Sequence, residues 1–156
     1  MPEPPKKPLS VDQIISHIRN LKNANGETGS LQDYNVRNLV DQAKHIGQHL
    51  KDYDLKTSQI RKFLDAVKRL KAKLNAGENF DSIKEGIILL EPHLAYAAAR
   101  KRSEMKKDEK INPAKDLSEI ITAAIKQVHC KEDFARLGQF IEAIVAYHKE
   151  AGGKEL

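Results

Sequence analysis

The spacing of apolar residues in the segment 57–75 constrains the fold of this chain more than any other feature. Apolar residues recur there every three or four positions, at Ile60, Phe63, Leu64, Val67, Leu70 and Leu74. That spacing is typical of one buried face of an α-helix. Similar faces follow one another after residue 10, and no segment alternates apolar and polar residues as a half-buried strand does. The sequence therefore predicts an all-α fold, a single compact helical bundle of about five to six helices.

Local capping and breaking residues mark several helix boundaries. Ser10, with Gln13 three residues later, has the pattern of a capping box at the start of a helix. Asn112 followed by Pro113 has the pattern of an N-cap with proline at the first helical position. Pro92 lacks the N–H group that an interior helical residue donates. We therefore predict a helix break or kink at Pro92.

Proline and glycine also indicate the limits of the domain. Four of the six prolines lie in residues 1–9, which we predict to be a disordered Pro-rich tail. Two adjacent glycines, Gly152 and Gly153, are typical of the end of a helix. We therefore predict a single α-helical domain over residues 10–152, followed by a disordered tail over residues 153–156.

One cysteine and short apolar runs limit the class of protein. Cys130 is the only cysteine, which excludes an intrachain disulfide and a cysteine zinc cluster and fits a reducing, cytoplasmic setting. No apolar run, residues 86–90 included, approaches the roughly 18 residues of a membrane span. The N-terminus lacks the apolar core of a secretory signal. We therefore expect a cytoplasmic protein without membrane contact.

No catalytic motif accompanies the helical pattern. The sequence contains no phosphate-binding Gly-rich loop, no GxSxG and no HExxH, and none of its six histidines follows a glutamate at di-iron spacing. His45 and His49 share one helix face, and with Asp41 they form the best candidate for a metal site, which keeps a metal-dependent hydrolase as a minor alternative. Two histidines without a defined third ligand are a weak signal. We interpret them as polar positions and predict a non-enzyme without metal or cofactor.

The positive charge of the chain is concentrated in its middle third. Residues 56–110 contain fourteen basic and eight acidic side chains, although the whole chain has a net charge of only +5. In the segment 57–75, the face opposite the apolar stripe is cationic, interrupted only by Asp65. Its basic residues are Arg61, Lys62, Lys68, Arg69 and Lys73, and Lys56 immediately precedes the segment. Unrelieved repulsion among such residues favours a repeating anion such as a phosphate backbone.

A second basic cluster contains Arg100, Lys101 and Arg102, and it follows an Ala-rich run at 94–99. There is no Trp, and aromatic residues make up 5% of the chain, which argues against a base-stacking platform. The sequence therefore predicts backbone contact without sequence readout. Two alternatives remain open: a solubilising surface, and a helical structural adaptor whose basic face binds an acidic protein partner.

Three segments together resemble a known family. Residues 57–63 (TSQIRKF), 94–100 (LAYAAAR) and 134–149 (FARLGQFIEAIVAYHK) resemble, in the same order, segments of the second Csm protein. That family provides the small subunit of type III-A CRISPR-Cas Csm interference complexes. The resemblance covers roughly residues 30–150, and the part before it is longer than the family usually has.

The resemblance implies a non-catalytic small subunit of an RNA-guided effector complex of prokaryotic antiviral defence. Its implied partners are the backbones of crRNA and target RNA, the backbone and large polymerase-like subunits of the Csm complex, and further copies of itself. It also implies that the helix at 57–75 and the Ala-rich helix border one groove. The residues that we predict to bind RNA are Lys56, Arg61, Lys62, Lys68, Arg69, Arg100 and Arg102.

Overall fold

Helices account for every regular element in the part of the chain that the computed structural model describes, residues 10–155. A single turn of 3-10 helix, Leu31–Asp33, precedes the second α-helix. The seven α-helices are α1 (Val11–Arg19), α2 (Val36–Asp52), α3 (Thr57–Asn75), α4 (Phe80–Ile88), α5 (Leu90–Glu104), α6 (Pro113–Ile125) and α7 (Lys131–Glu150). The predicted all-α fold is confirmed. The tail predicted for residues 1–9 lies outside the described residues.

Helix α7 is the centre of the packing. It contacts α2, α3 and the 3-10 turn, while α6 packs against α1 and α5. The apolar side chains of α7 recur at helical spacing and are buried: Phe134, Leu137, Phe140, Ile141 and Ile144. Gly47 allows α2 and α7 to approach closely, because a Cβ atom at this position would lie 2.6 Å from the backbone nitrogen of His148. None of the helices in residues 10–155 is long and apolar enough to span a bilayer.

The chain breaks at Leu89, between α4 and α5, rather than at Pro92 itself. A continuous helix would need the Pro92 nitrogen to donate to the carbonyl of Ile88, and the proline ring would clash with that same carbonyl. The helix therefore ends at Ile88, and Pro92 lies in the first turn of α5, where no intrahelical donor is required. The break that the sequence predicts at Pro92 therefore lies three residues earlier and separates α4 from α5.

The C-terminal segment differs from the prediction of a disordered tail over residues 153–156. Gly152 has a φ of 99°, the left-handed conformation that reverses the chain after a helix. The Gly153 N–H then donates to the His148 carbonyl at 2.8 Å, and the Lys154 carbonyl accepts from the Thr57 N–H at 2.8 Å. The domain therefore extends beyond residue 152 to residue 155, and residue 156 lies outside the described residues.

His148 joins this C-terminal segment to the start of α3. Its ring is fully buried, with Nδ1 2.9 Å from the Thr57 hydroxyl and Nε2 2.6 Å from the Leu55 carbonyl. Burial lowers the pKa of His148, so the neutral ring donates from Nε2 and accepts at Nδ1. The sequence predicts no role for His148, because its partners Thr57 and Leu55 are distant in the chain.

Candidate nucleic-acid interface

Helix α3 turns its apolar face inward and its basic face outward. Ile60, Phe63, Leu64 and Val67 are buried against the bundle. The cations on its other face are all exposed, and so is Lys56 at its N-cap: Arg61, Lys62, Lys68, Arg69 and Lys73. The helix is amphipathic, as the sequence predicts, and its outer face is charged rather than neutral and polar.

These cations do not form one ridge, because neighbouring elements divide them. Lys62 and Arg69 lie beside α5, whereas Lys68 lies on the other side of α3, with Lys131 of α7. Lys56 lies at the turn before α3, in a depression that it shares with Lys154. The helical wheel correctly predicts that these cations are exposed. It does not predict which neighbouring element each side chain lies beside.

A groove between α3 and α5 joins the two predicted basic clusters. It has a volume of about 400 Å³ and is named here the α3–α5 groove. Its lining residues are Gln59, Lys62, Phe63, Asp65, Ala66 and Arg69 from α3, Leu90, His93, Tyr96, Ala97 and Arg100 from α5. On each helix the lining follows spacings of three and four residues, so one face of each helix forms each wall. Three cations and one carboxylate therefore surround a partly apolar floor.

Arg100 and Arg102 lie on different sides of α5. Two residues correspond to about 200° around a helix, so their side chains diverge. Arg100 lines the α3–α5 groove, whereas Arg102 lines a cavity of about 1110 Å³ that also contains residues of α1, α2 and α6. That cavity contains both signs of charge, including Lys115 and Asp116. The prediction that both arginines bind RNA thus refers to two separate surfaces.

One predicted cation is already paired with a carboxylate of the chain itself. The Arg61 guanidinium donates to both oxygens of Glu155, at 3.0 and 3.2 Å. The Lys149 ammonium lies 3.0 Å from the same carboxylate. Hydrogen bonds from Lys149 and Arg61 lower the pKa of Glu155, so this group is ionised at neutral pH.

The other predicted RNA-binding cations have little acidic compensation. Arg100 lies 3.6 Å from Glu104, but both side chains are more than half exposed, so the pair is weak. Within residues 10–155, the remaining members have no carboxylate at ion-pair distance: Lys56, Lys62, Lys68, Arg69 and Arg102. Their charges are therefore open to an external anion.

The histidine pair does not assemble with its proposed third ligand. His49 Nε2 lies 2.7 Å from Asp116 of α6, and His45 remains exposed. Asp41 is bonded instead to Arg37, at 3.1 Å. Residues 10–155 contain no cluster of three or more His, Cys, Asp or Glu side chains with the geometry of a metal site.

Sequence reasoning missed two features of the α3–α5 groove. Tyr96 is 69% exposed and lines the groove, although in the sequence it lies within an Ala-rich run. His93 lines the same wall. The spacing of His93, Tyr96, Ala97 and Arg100 is i, i+3, i+4, i+7, which was the available signal that these residues share one helix face.

The chain is similar to a known family and to a curated relative. The family model described as Csm2 Type III-A matches residues 33–154 of the chain. A curated relative from Streptococcus thermophilus, described as CRISPR system Cms protein Csm2, is 31% identical over 125 residues. That alignment covers 76% of this chain and 94% of the relative. No solved structure matches the chain.

Proposed function

The chain belongs to the Csm2 family of type III-A CRISPR systems, and from this membership we propose that it is a non-catalytic small subunit that binds the backbone of the crRNA–target RNA duplex. Its role is to hold the target RNA in register without reading its sequence. Its other proposed partners are the backbone and large subunits of the Csm complex and further copies of itself, in the cytoplasm.

The observation that carries this proposal is the α3–α5 groove and its surrounding cations. Lys62 and Arg69 are seven residues apart on α3, which is about 10 Å along the helix axis. The two side chains therefore contact different phosphates of one strand, and Arg100 supplies a third contact from α5. Lysine and arginine bind phosphate oxygens regardless of the base, which gives affinity without sequence readout.

The proposal predicts a strong salt dependence of RNA binding. For a protein that makes three phosphate contacts, raising the salt from about 50 to about 200 mM lowers duplex affinity by about 40-fold. Fluorescence anisotropy with a labelled RNA duplex measures this slope. Two duplexes of unrelated sequence are expected to bind equally, because no base edge is read.

Two outcomes would contradict the proposal. The first is an affinity that does not change with salt. The second is an acidic protein that remains bound after nuclease treatment and is released when Lys62, Arg69 and Arg100 are reversed in charge, which supports an adaptor whose basic face binds that protein. Duplex binding predicts instead that reversal of these three residues affects RNA binding and leaves any nuclease-resistant protein partner bound.

The ion pair at Arg61 gives a second prediction, a gain of affinity. Changing Glu155→Gln releases Arg61 and Lys149 for phosphate and removes one negative charge from the surface. We expect RNA affinity to rise, by no more than about fivefold, because one solvent-exposed ion pair is a small contribution. Anisotropy titration at constant salt measures the change.

Glu150→Gln is the matched control for this variant. Glu150 is exposed at the end of α7, and it makes no ion pair within residues 10–155. It changes net charge by the same amount without releasing an arginine. Equal gains in the two variants would show that net charge alone, rather than the release of Arg61, determines the effect.

A further inference from the structure

The α3–α5 groove has more apolar surface than a contact with duplex backbone requires. Phosphates and sugars of a duplex contact the cations at the rim, and its bases remain stacked inside the helix. Yet the floor of the groove contains Phe63, Ala66, Leu90 and Ala97, and Tyr96 at the wall is 69% exposed. Binding of the duplex backbone leaves these features unexplained.

The chemistry of the groove fits one unpaired nucleotide. An aromatic side chain offers a π-face on which any base stacks, and an apolar floor favours a base over water. Lys62, Arg69 and Arg100 surround this apolar region with positive charge, which fits the phosphates on either side of an unstacked base. Gln59 and Asp65 supply polar groups for the base edge.

The size of the groove agrees with a ligand of this class. Its volume of about 400 Å³ lies within the range of about 300–1,000 Å³ that is typical of small-molecule sites. We infer that the α3–α5 groove binds a single unpaired RNA nucleotide, with its base stacked on Tyr96 and its flanking phosphates on Lys62, Arg69 and Arg100. This inference rests on the proposed function, because it assigns that same surface a ligand beyond the paired backbone.

The test compares two RNA duplexes that differ by one bulged nucleotide. We expect the full-length protein to bind the bulged duplex about five- to twentyfold more tightly than the fully paired duplex, the effect of one base–aromatic stack. Tyr96→Ala is expected to abolish this preference and to leave affinity for the paired duplex within about twofold. Tyr96→Phe keeps the ring and is expected to keep the preference.

Ala66→Leu provides a second variant that keeps the tyrosine and all the cations. A larger side chain on the floor excludes a base but leaves the rim open to phosphates, so the preference for the bulged duplex should fall. Thermal melting checks that each variant folds; Tyr96 is exposed, so its removal leaves no cavity in the core.

The outcomes separate this inference from the proposed function. Equal, salt-dependent binding of bulged and paired duplexes by the unmodified protein overturns the inference and leaves duplex binding intact. A preference that Tyr96→Ala retains also overturns it. Failure to bind either duplex overturns both the inference and the proposed function.

Discussion

Reversing the charge at Lys62, Arg69 and Arg100 together is expected to lower affinity for an RNA duplex by more than about 100-fold at moderate salt, since three phosphate contacts become three repulsions. The α3–α5 groove is lined by these three cations and by one carboxylate, that of Asp65. All three side chains are exposed, so the fold does not depend on them. The slope of log affinity against log salt should fall in parallel, by about 0.9 for each lost duplex contact.

A second triple variant controls for net charge. Lys22, Lys44 and Lys126 are exposed and lie outside the grooves that contain the predicted RNA-binding cations. Their reversal to glutamate changes net charge equally, but the Debye length is about 8 Å at physiological salt, so distant charges are screened. We expect a loss of less than about fivefold. Equal losses in the two triples would mean that the groove has no special role in RNA binding.

Apolar spacing and capping residues predict most of this fold because both act locally. The stripe from Ile60 to Leu74 specifies which face of α3 is buried, whatever it packs against. The capping box of Ser10 and Gln13 forms as predicted, with hydrogen bonds of 3.2 and 2.9 Å. The break before Pro92 is also local, and its displacement to Leu89 follows from the ring clash with the preceding turn.

The parts that sequence reasoning missed depend on neighbours distant in the chain. A helical wheel locates Lys62 and Lys68 on the same exposed arc, but only the packing of α5 and α7 assigns them to different grooves. The contact of Glu155 with Arg61 joins residues 94 positions apart in the chain. The apolar periodicity of one helix predicts neither the groove that a cation lines nor the contact of Glu155 with Arg61. The sequence therefore predicts only part of the candidate site.

Asp133 is another residue whose partners are distant in the chain, and its replacement is expected to have the largest effect on stability. Its carboxylate is fully buried at the start of α7. It accepts hydrogen bonds from the Ser30 hydroxyl at 2.7 Å, the Gln32 N–H at 2.8 Å and the His129 N–H at 2.9 Å. It thereby attaches the 3-10 turn to α7, between parts of the chain about a hundred residues apart.

Changing Asp133→Asn should destabilise the protein by about 3 kcal/mol. The asparagine amide places an N–H group against N–H and O–H donors whose hydrogen bonds the carboxylate accepts in the original protein. For a chain of this size, that corresponds to a fall in Tm of about 6–12 °C. Differential scanning calorimetry at neutral pH measures the change. The neighbouring Glu132→Gln is the matched control: Glu132 is exposed, and its charge contributes a helix-dipole interaction of about 0.5 kcal/mol.

The pH dependence of the stability difference between the original protein and Asp133→Asn tests whether the carboxylate charge is the source of that difference. Burial alone would raise the pKa of Asp133, but the hydrogen bonds from Gln32, His129 and Ser30 outweigh it and lower the pKa. A group whose pKa falls on folding stabilises the protein above its unfolded pKa, about 3.9 for aspartate, and loses that contribution as the pH falls toward the folded value. The gap between the original protein and Asp133→Asn should therefore be constant above about pH 5 and narrow below it. A gap that stays constant into acid would mean that the shape of the side chain, and not its charge, attaches the 3-10 turn to α7.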